Sequence, residues 1–126
     1  MKSRIINPVP EAVIIYKVGE NAASVRKIAD RLNVKVVEAA DDKAGEAVGF
    51  LADFGGFSSN GSSEEADEGC MIFSSMSGKR LDVFLSELRK AEISIPYKAV
   101  VTATNQSWSL KRLISELIRE REQLGG

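Results

Sequence analysis

Cys70–Leu88 reads CMIFSSMSGKRLDVFLSEL, and Ala99–Leu117 reads AVVTATNQSWSLKRLISEL. Each stretch passes from an apolar run of strand length through a short polar turn into a helical pattern. The two align without a gap. Leu81, Phe84, Leu85 and Leu88 fall on Leu110, Leu113, Ile114 and Leu117, 29 positions on (110 − 81 = 29), and both stretches close on Ser-Glu-Leu. A looser copy lies upstream, with Val13–Val18 as strand and Val25, Ile28, Ala29 and Leu32 on one helical face.

Ala12–Val18 (AVIIYKV) is a near-continuous apolar run, the pattern of a strand covered on both faces. The spacing of Val25, Ile28, Ala29 and Leu32 predicts a helix over Ala22–Leu32, with Asn21 as its N-cap and Asn33 as its stop. Val34–Glu38 is a short second strand. Ala47, Val48, Phe50, Leu51 and Phe54 suit one face of a short helix, which Gly45 and Gly49 weaken by about 1 kcal/mol each. Downstream, Ser77 is the expected cap of a helix over Gly78–Ala91. Tyr97 or Lys98 through Thr102 is the last strand, and Ser107 the expected cap of a final helix over Trp108–Glu122.

Strands alternating with helices predict a parallel sheet with helices on its faces. The expected architecture is a three-layer α/β domain spanning 1–126, with a four-stranded, mostly parallel sheet in the order 2-1-3-4. The alternative is a ferredoxin-like α+β sandwich with an extra C-terminal helix, in which Asp41–Gly69 is only a long loop. Met1–Pro10 carries two closely spaced prolines and reads as an extended arm. Gly55–Gly69 (GGFSSNGSSEEADEG) has too little apolar surface to offset its ordering entropy and is expected to be a flexible surface loop.

The chain has 126 residues, 17 Lys+Arg against 18 Asp+Glu, and a formal charge of −1. No basic field exists to hold nucleic acid or an anionic membrane. The lone cysteine, Cys70, has no partner for an internal disulfide, and no run approaches the length of a membrane span. A cytoplasmic location is expected. The chain contains no histidine, which excludes Ser-His-Asp and Cys-His pairs and histidine metal sites. No cofactor or metal is expected.

In a parallel sheet the turns after the strands gather along one rim, where ligands bind. Three turns qualify: Gly19–Asn21, Ser75–Lys79 and Thr102–Ser107. The candidate ligand-binding residues are Gly19, Asn21, Ser77, Lys79, Thr102, Thr104, Asn105, Ser107 and Trp108. Each turn leads into a helix start, where backbone N–H groups and the dipole favour an anion. Ser77-Gly78-Lys79-Arg80 is not a P-loop, because its first glycine is missing and Arg80 stands where a magnesium-binding hydroxyl belongs.

The phrases AVGFLADFGGF (Ala47–Phe57), MIFSSMS (Met71–Ser77), LDVFLSELRKAEI (Leu81–Ile93) and KAVVTATNQSWSLKRLISEL (Lys98–Leu117) resemble a family of small bacterial proteins of unknown function. Its signature is Lys-Ala-Val-x-Thr-x-Thr-Asn-x-x-Trp-x-Leu, and the resemblance runs from about Ala12 to Glu122. Ala103 stands where relatives often carry Pro. The resemblance implies a bacterial cytosolic origin and a single domain, and it brings no activity, cofactor or catalytic residue. The sequence therefore leans away from an enzyme and towards a non-enzymatic interaction or regulatory module with a protein partner. The alternative is a small anionic ligand, a nucleotide or phosphorylated metabolite, held at the helix starts. For a catalyst, Lys98, Tyr97 and the Thr102–Ser107 hydroxyls are the available groups. Oligomeric state is not encoded in any motif.

Overall fold

Two runs without a polar interruption become the centre of the sheet. In the computed structural model, which describes residues 9–125, β1 (Ala12–Tyr16) and β3 (Cys70–Ser74) are buried at every position. Outside them lie β2 (Lys35–Ala39) and β4 (Lys98–Val100), giving the order β2-β1-β3-β4. β1 pairs with β2 and β3 with β4 in parallel, so the sheet is mostly parallel as the repeats predict.

Alternation then sorts side chains between two cores. Val13, Ile15, Met71 and Phe73 pack with Val25 and Ile28 of α1 (Asn21–Leu32) and Phe84 and Leu88 of α3 (Gly78–Lys90). Ile14, Tyr16, Cys70 and Ile72 pack on the other face with Val48 of α2 (Val48–Leu51) and Leu110, Leu113 and Ile114 of α4 (Leu110–Gly125). Both sheet faces are covered, which makes the three-layer architecture and sets aside the two-layer sandwich. The helices of the gapless repeat lie on opposite faces. The spatial counterpart of β3-α3-β4 is the looser copy, β1-α1-β2, whose helix packs on the same face.

The central pairing, β1 with β3, is antiparallel, with Ala12 opposite Ser74 and Tyr16 opposite Cys70. The cause lies in the return connection. The Tyr16 hydroxyl, at the carboxyl end of β1, donates to the Asp41 carbonyl (2.5 Å) and accepts from the Ala66 N–H (3.0 Å). One side chain thus holds both the exit from β2 and the approach to β3 at the same end of the sheet. A parallel β3 needs a crossover the length of a strand, about 17 Å. The connection here makes no such crossover: its one helix, α2, has 4 residues, and the chain comes back to the end of the sheet it left.

Helix ends follow local chemistry, with two corrections. Ser77 caps α3, its Oγ accepting from Arg80 N (3.2 Å). Asn33 closes α1 in the left-handed region, at φ 64°. Asn21 is the first residue of α1 and not its cap; Glu20 holds that place with no side-chain hydrogen bond. Ser107 lies in a short 3-10 turn, Asn105–Ser107, and α4 is capped by Ser109, whose Oγ accepts from Arg112 N (3.1 Å). Arg80 braces the α1–α3 face: its guanidinium takes both oxygens of Glu11 (Nη2–Oε1 2.8 Å, Nε–Oε2 3.1 Å) and the Leu32 carbonyl. Of the expected arm, residues 1–8 lie outside the described residues.

Phe73 and Phe84 meet edge to face at 5.4 Å, with Phe84 fully buried. Phe84→Ala is expected to cost about 3–5 kcal/mol in urea unfolding. Val83→Ala, one residue away and 40% exposed, is expected to stay within about 0.5 kcal/mol.

Candidate functional site

The antiparallel centre divides the expected rim into two. Gly19 and Asn21 follow β1, at the end where β3 begins. Ser77 and Lys79 follow β3, and the Thr102–Trp108 stretch follows β4, at the opposite end. The nine candidates therefore do not converge on one pocket.

The Thr102–Trp108 stretch is bonded inward. The buried Asn105 side chain accepts from Thr102 N (2.9 Å) and donates to the Val100 carbonyl (3.0 Å), while Thr102 Oγ1 accepts from Asn105 N (3.0 Å). This reciprocal box is what the Thr-x-x-Asn spacing builds. Trp108 packs against the α2–α4 core beneath the Arg112 guanidinium, 4.2 Å from its ring centroid. Thr104 and Ser107 are exposed. The leading N–H groups of α4 are taken by the chain itself: Leu110 N donates to Glu46 O (2.9 Å), Lys111 N to Ala44 O (2.8 Å), Arg112 N to Ser109 Oγ and Leu113 N to Ser109 O. No free donor remains there for an anion.

At the other end, a hollow of about 400 Å³ is lined by Lys17, Gly19, Glu38 and Asp41 among others. Lys17 Nζ is bound to Glu65 Oε1 and the Ala66 carbonyl, both at 2.7 Å, and the Glu65 contact raises its pKa. Two carboxylates against one engaged lysine make this hollow a poor anion site. Cys70 is buried, and desolvation pushes its thiol up to about 12, which keeps it protonated and inert.

One charged residue escaped the sequence patterns. Glu46 is 1% exposed. Its carboxylate accepts from Ser59 Oγ (2.5 Å) and Asn60 N (3.0 Å), and these bonds hold its pKa below the usual carboxylate range. The visible sign in the sequence was an acid embedded between Gly45 and the apolar Ala47-Val48. Periodicity assigns no partner to such a residue.

Among the described residues, the edge of β4 leaves apolar surface uncovered. Pro96 precedes this strand and the Asn105 amide claims the carbonyl of its last residue, so it is only 3 residues long. Tyr97 O and Val101 N bond to β3, so the backbone groups of Lys98 and Val100 face outward. On the α3 side of this edge, Phe73, Leu81, Leu85 and Val100 line an apolar groove of about 180 Å³. On the α4 side, Tyr97, Leu117 and Leu124 line one of about 370 Å³, with Lys98, Arg121 and Glu120 at its margin. Leu124 is 89% and Val100 40% exposed. Lys98 Nζ donates to Ile95 O (2.6 Å), and Arg121 donates to Pro96 O (3.2 Å) while lying over the Tyr97 ring. Among the described residues neither cation pairs with a carboxylate. The β2 edge differs, since it carries Lys35 and Glu38, paired with Asp53 and Arg26.

Residues 70–124 match the family model of a domain of unknown function, DUF3783. The match bears out the resemblance to a family of unknown function, over a shorter span than the phrases above suggest. Every residue lining the two β4 grooves lies inside it, whereas Glu46 lies outside. No curated protein and no solved structure gives a significant match to the chain. Among the described residues, no helix is long and apolar enough to cross a membrane, and no group of three or more His, Cys, Asp or Glu is placed to hold a metal ion.

Asn105→Ala orphans Thr102 N and the Val100 carbonyl, and is expected to cost about 1–3 kcal/mol in urea unfolding. It also frees one more edge carbonyl, so sedimentation is expected to show stronger concentration-dependent association than the parent chain shows. Glu46 has a depressed folded pKa, so its contribution is complete above the ordinary value of 4.5 and fades as pH falls through the folded value. The denaturation midpoints of the parent chain and Glu46→Gln should therefore stay apart from about pH 7 to about pH 5 and converge at lower pH.

Proposed function

We propose that the protein is a non-enzymatic interaction module that takes an extended segment of a partner protein as a fifth strand on β4. The observation that carries this is the pair of apolar grooves flanking one free strand edge. Successive side chains of an added strand point to opposite sheet faces. Its alternate residues would fall into the α3-side groove and the α4-side groove in turn, while the outward N–H and C=O of Lys98 and the N–H of Val100 supply main-chain bonds, the Val100 carbonyl being held by Asn105. Lys98 and Arg121, hydrogen-bonded to neutral carbonyls, outnumber the one acid of that groove, Glu120, and favour an apolar segment that carries a carboxylate. The engaged donors at α4 and the acidic hollow beside Gly19 give less support to a small anionic ligand at these starts. At α3, Ser77 and Lys79 remain exposed. The absence of histidine and the protonated Cys70 weigh against an enzyme.

Panning the chain against a displayed library of short peptides tests this. Enriched sequences should alternate apolar residues and include Asp or Glu. Arg121→Glu or Leu124→Ala should weaken a selected peptide by about tenfold, or 1.4 kcal/mol, while Lys35→Glu on the opposite edge should leave it unchanged. Peptides without a strand pattern, or affinity indifferent to Arg121→Glu, would refute the assignment.

A further inference from the structure

Gly55–Gly69 has the composition of chain that stays in water, yet its first half lies down on the protein. The Phe57 ring covers Gly49 so closely that a Cβ there would stand 2.6 Å from Phe57 Cε2. Ser62 covers Gly45 in the same way, at 2.7 Å. Between these two seats, Ser59 Oγ and Asn60 N–H donate to the two oxygens of Glu46, at 2.5 and 3.0 Å, and Asn60 Nδ2 donates to the Gly45 carbonyl at 2.9 Å. Glu46 is 1% exposed, whereas Ser59 and Asn60, which seal it, are exposed residues. Among the described residues, every hydrogen bond to that carboxylate comes from the loop.

This is the form of a receptor holding a short peptide, which turns at Ser59 and Asn60 where their side chains accept from Gly61 N and Ser62 N. A side-chain-free seat at Gly49 takes an aromatic ring, and a carboxylate reads a hydroxyl and the next backbone N–H. A carbonyl reads the following amide. The segment in the seat is tethered by Gly and Ser on both sides, so it is held by its high local concentration as well as by contacts. Lifting it exposes one half-buried Phe and returns one carboxylate to water, which places the motion at the low-stability end of the molecule.

We propose that Ala44–Gly49 is a peptide-recognition site, occupied in cis by Phe57–Asn60. It opens in trans to a peptide segment with an aromatic residue two positions before a serine. The loop is then a displaceable strap and an autoinhibitory contact. This site is separate from the β4 edge and stands without it.

The probe is a synthetic peptide of the strap's own sequence, GGFSSNGSS, acetylated and amidated, titrated against the full chain by isothermal calorimetry. Strap occupancy lowers the apparent affinity of the parent chain in proportion to the open fraction. The Phe57→Ala/Ser59→Ala chain should therefore bind the peptide about tenfold more tightly or better. Adding Glu46→Gln, or replacing the second serine of the peptide by alanine, should cancel the gain. Amide exchange checks the cause: Asn60 and Ser62 should exchange faster in the double variant while Ile14 and Ile72 keep their protection. Equal affinity for the parent and the double variant overturns the proposal, as does a gain that survives Glu46→Gln. Should the double variant lose protection at Ile14 and Ile72, Ser59→Ala alone supplies the comparison. Strap amides as protected as Ile14 in both the parent and Ser59→Ala would also overturn it.

Discussion

The Tyr16 hydroxyl is the constraint from which the arrangement follows. It sits at the carboxyl end of β1, donates to Asp41 O and accepts from Ala66 N, so the chain leaves β2 and enters β3 at one end of the sheet. The connection returns to the end it left instead of crossing the sheet, and β3 runs against β1. Each half of the sheet keeps its own parallel pair and its own rim. Whatever binds after β1 is thereby separated from whatever binds after β3 and β4. The strand order and the three layers survive this reversal, because both depend on which faces are apolar and not on which way the strands point.

That distinction marks what the sequence made legible. Unbroken apolar runs at Ala12–Tyr16 and Cys70–Ser74 announce strands buried on both faces, and the 3.6-residue spacing of Val25, Ile28, Phe84 and Leu88 announces the helices that bury them. Direction was not legible, since it is fixed by the hydrogen bonds of a tyrosine to residues 25 and 50 positions away. The same limit applies to the candidate residues. Thr102 and Asn105 were visible as a polar turn, but hydroxyls and amides that bind a ligand look the same in sequence as those that close a box on their own backbone. Glu46 was invisible for a related reason, because its partners come from a Gly/Ser segment whose composition argues against order. The two glycines that weaken α2 as a helix prove to be the seats on which that segment rests.

Asn105 links the sequence signature to the edge proposed for docking. An exposed strand edge invites indiscriminate pairing, and short length is one of the devices that limit it. Here the amide of Asn105 takes the carbonyl of Val100 and so ends β4 after 3 residues. What remains outward is little backbone and much side chain. Affinity at such an edge must come chiefly from the grooves, and selectivity from the pattern of residues that fits Leu81, Leu85 and Val100 on one side and Tyr97, Leu117 and Leu124 on the other. The match of residues 70–124 to DUF3783 spans these elements as a unit: the strand, the box that ends it and both flanking helices.

α4 touches both proposed surfaces, which raises the question of whether one would influence the other. Its first turn leans on the Glu46 segment, and its later residues Leu117, Arg121 and Leu124 line the β4 groove. The contacts at its start, however, are to the backbone carbonyls of Ala44 and Glu46, whereas the strap holds the Glu46 side chain. Lifting the strap breaks the second set and leaves the first in place. The loop otherwise meets α4 downstream of the seated Phe57–Asn60 segment, through the exposed Lys111–Glu64 ion pair at 3.6 Å, a kind of contact that contributes about 1 kcal/mol at most, and through Ala66, which the Tyr16 hydroxyl holds in place. Coupling requires an element with two arrangements that both sites bias. A helix whose leading N–H groups stay satisfied in either strap position has one. The strap and the β4 edge should therefore act as independent surfaces on a shared frame, with α4 as the rigid wall between them.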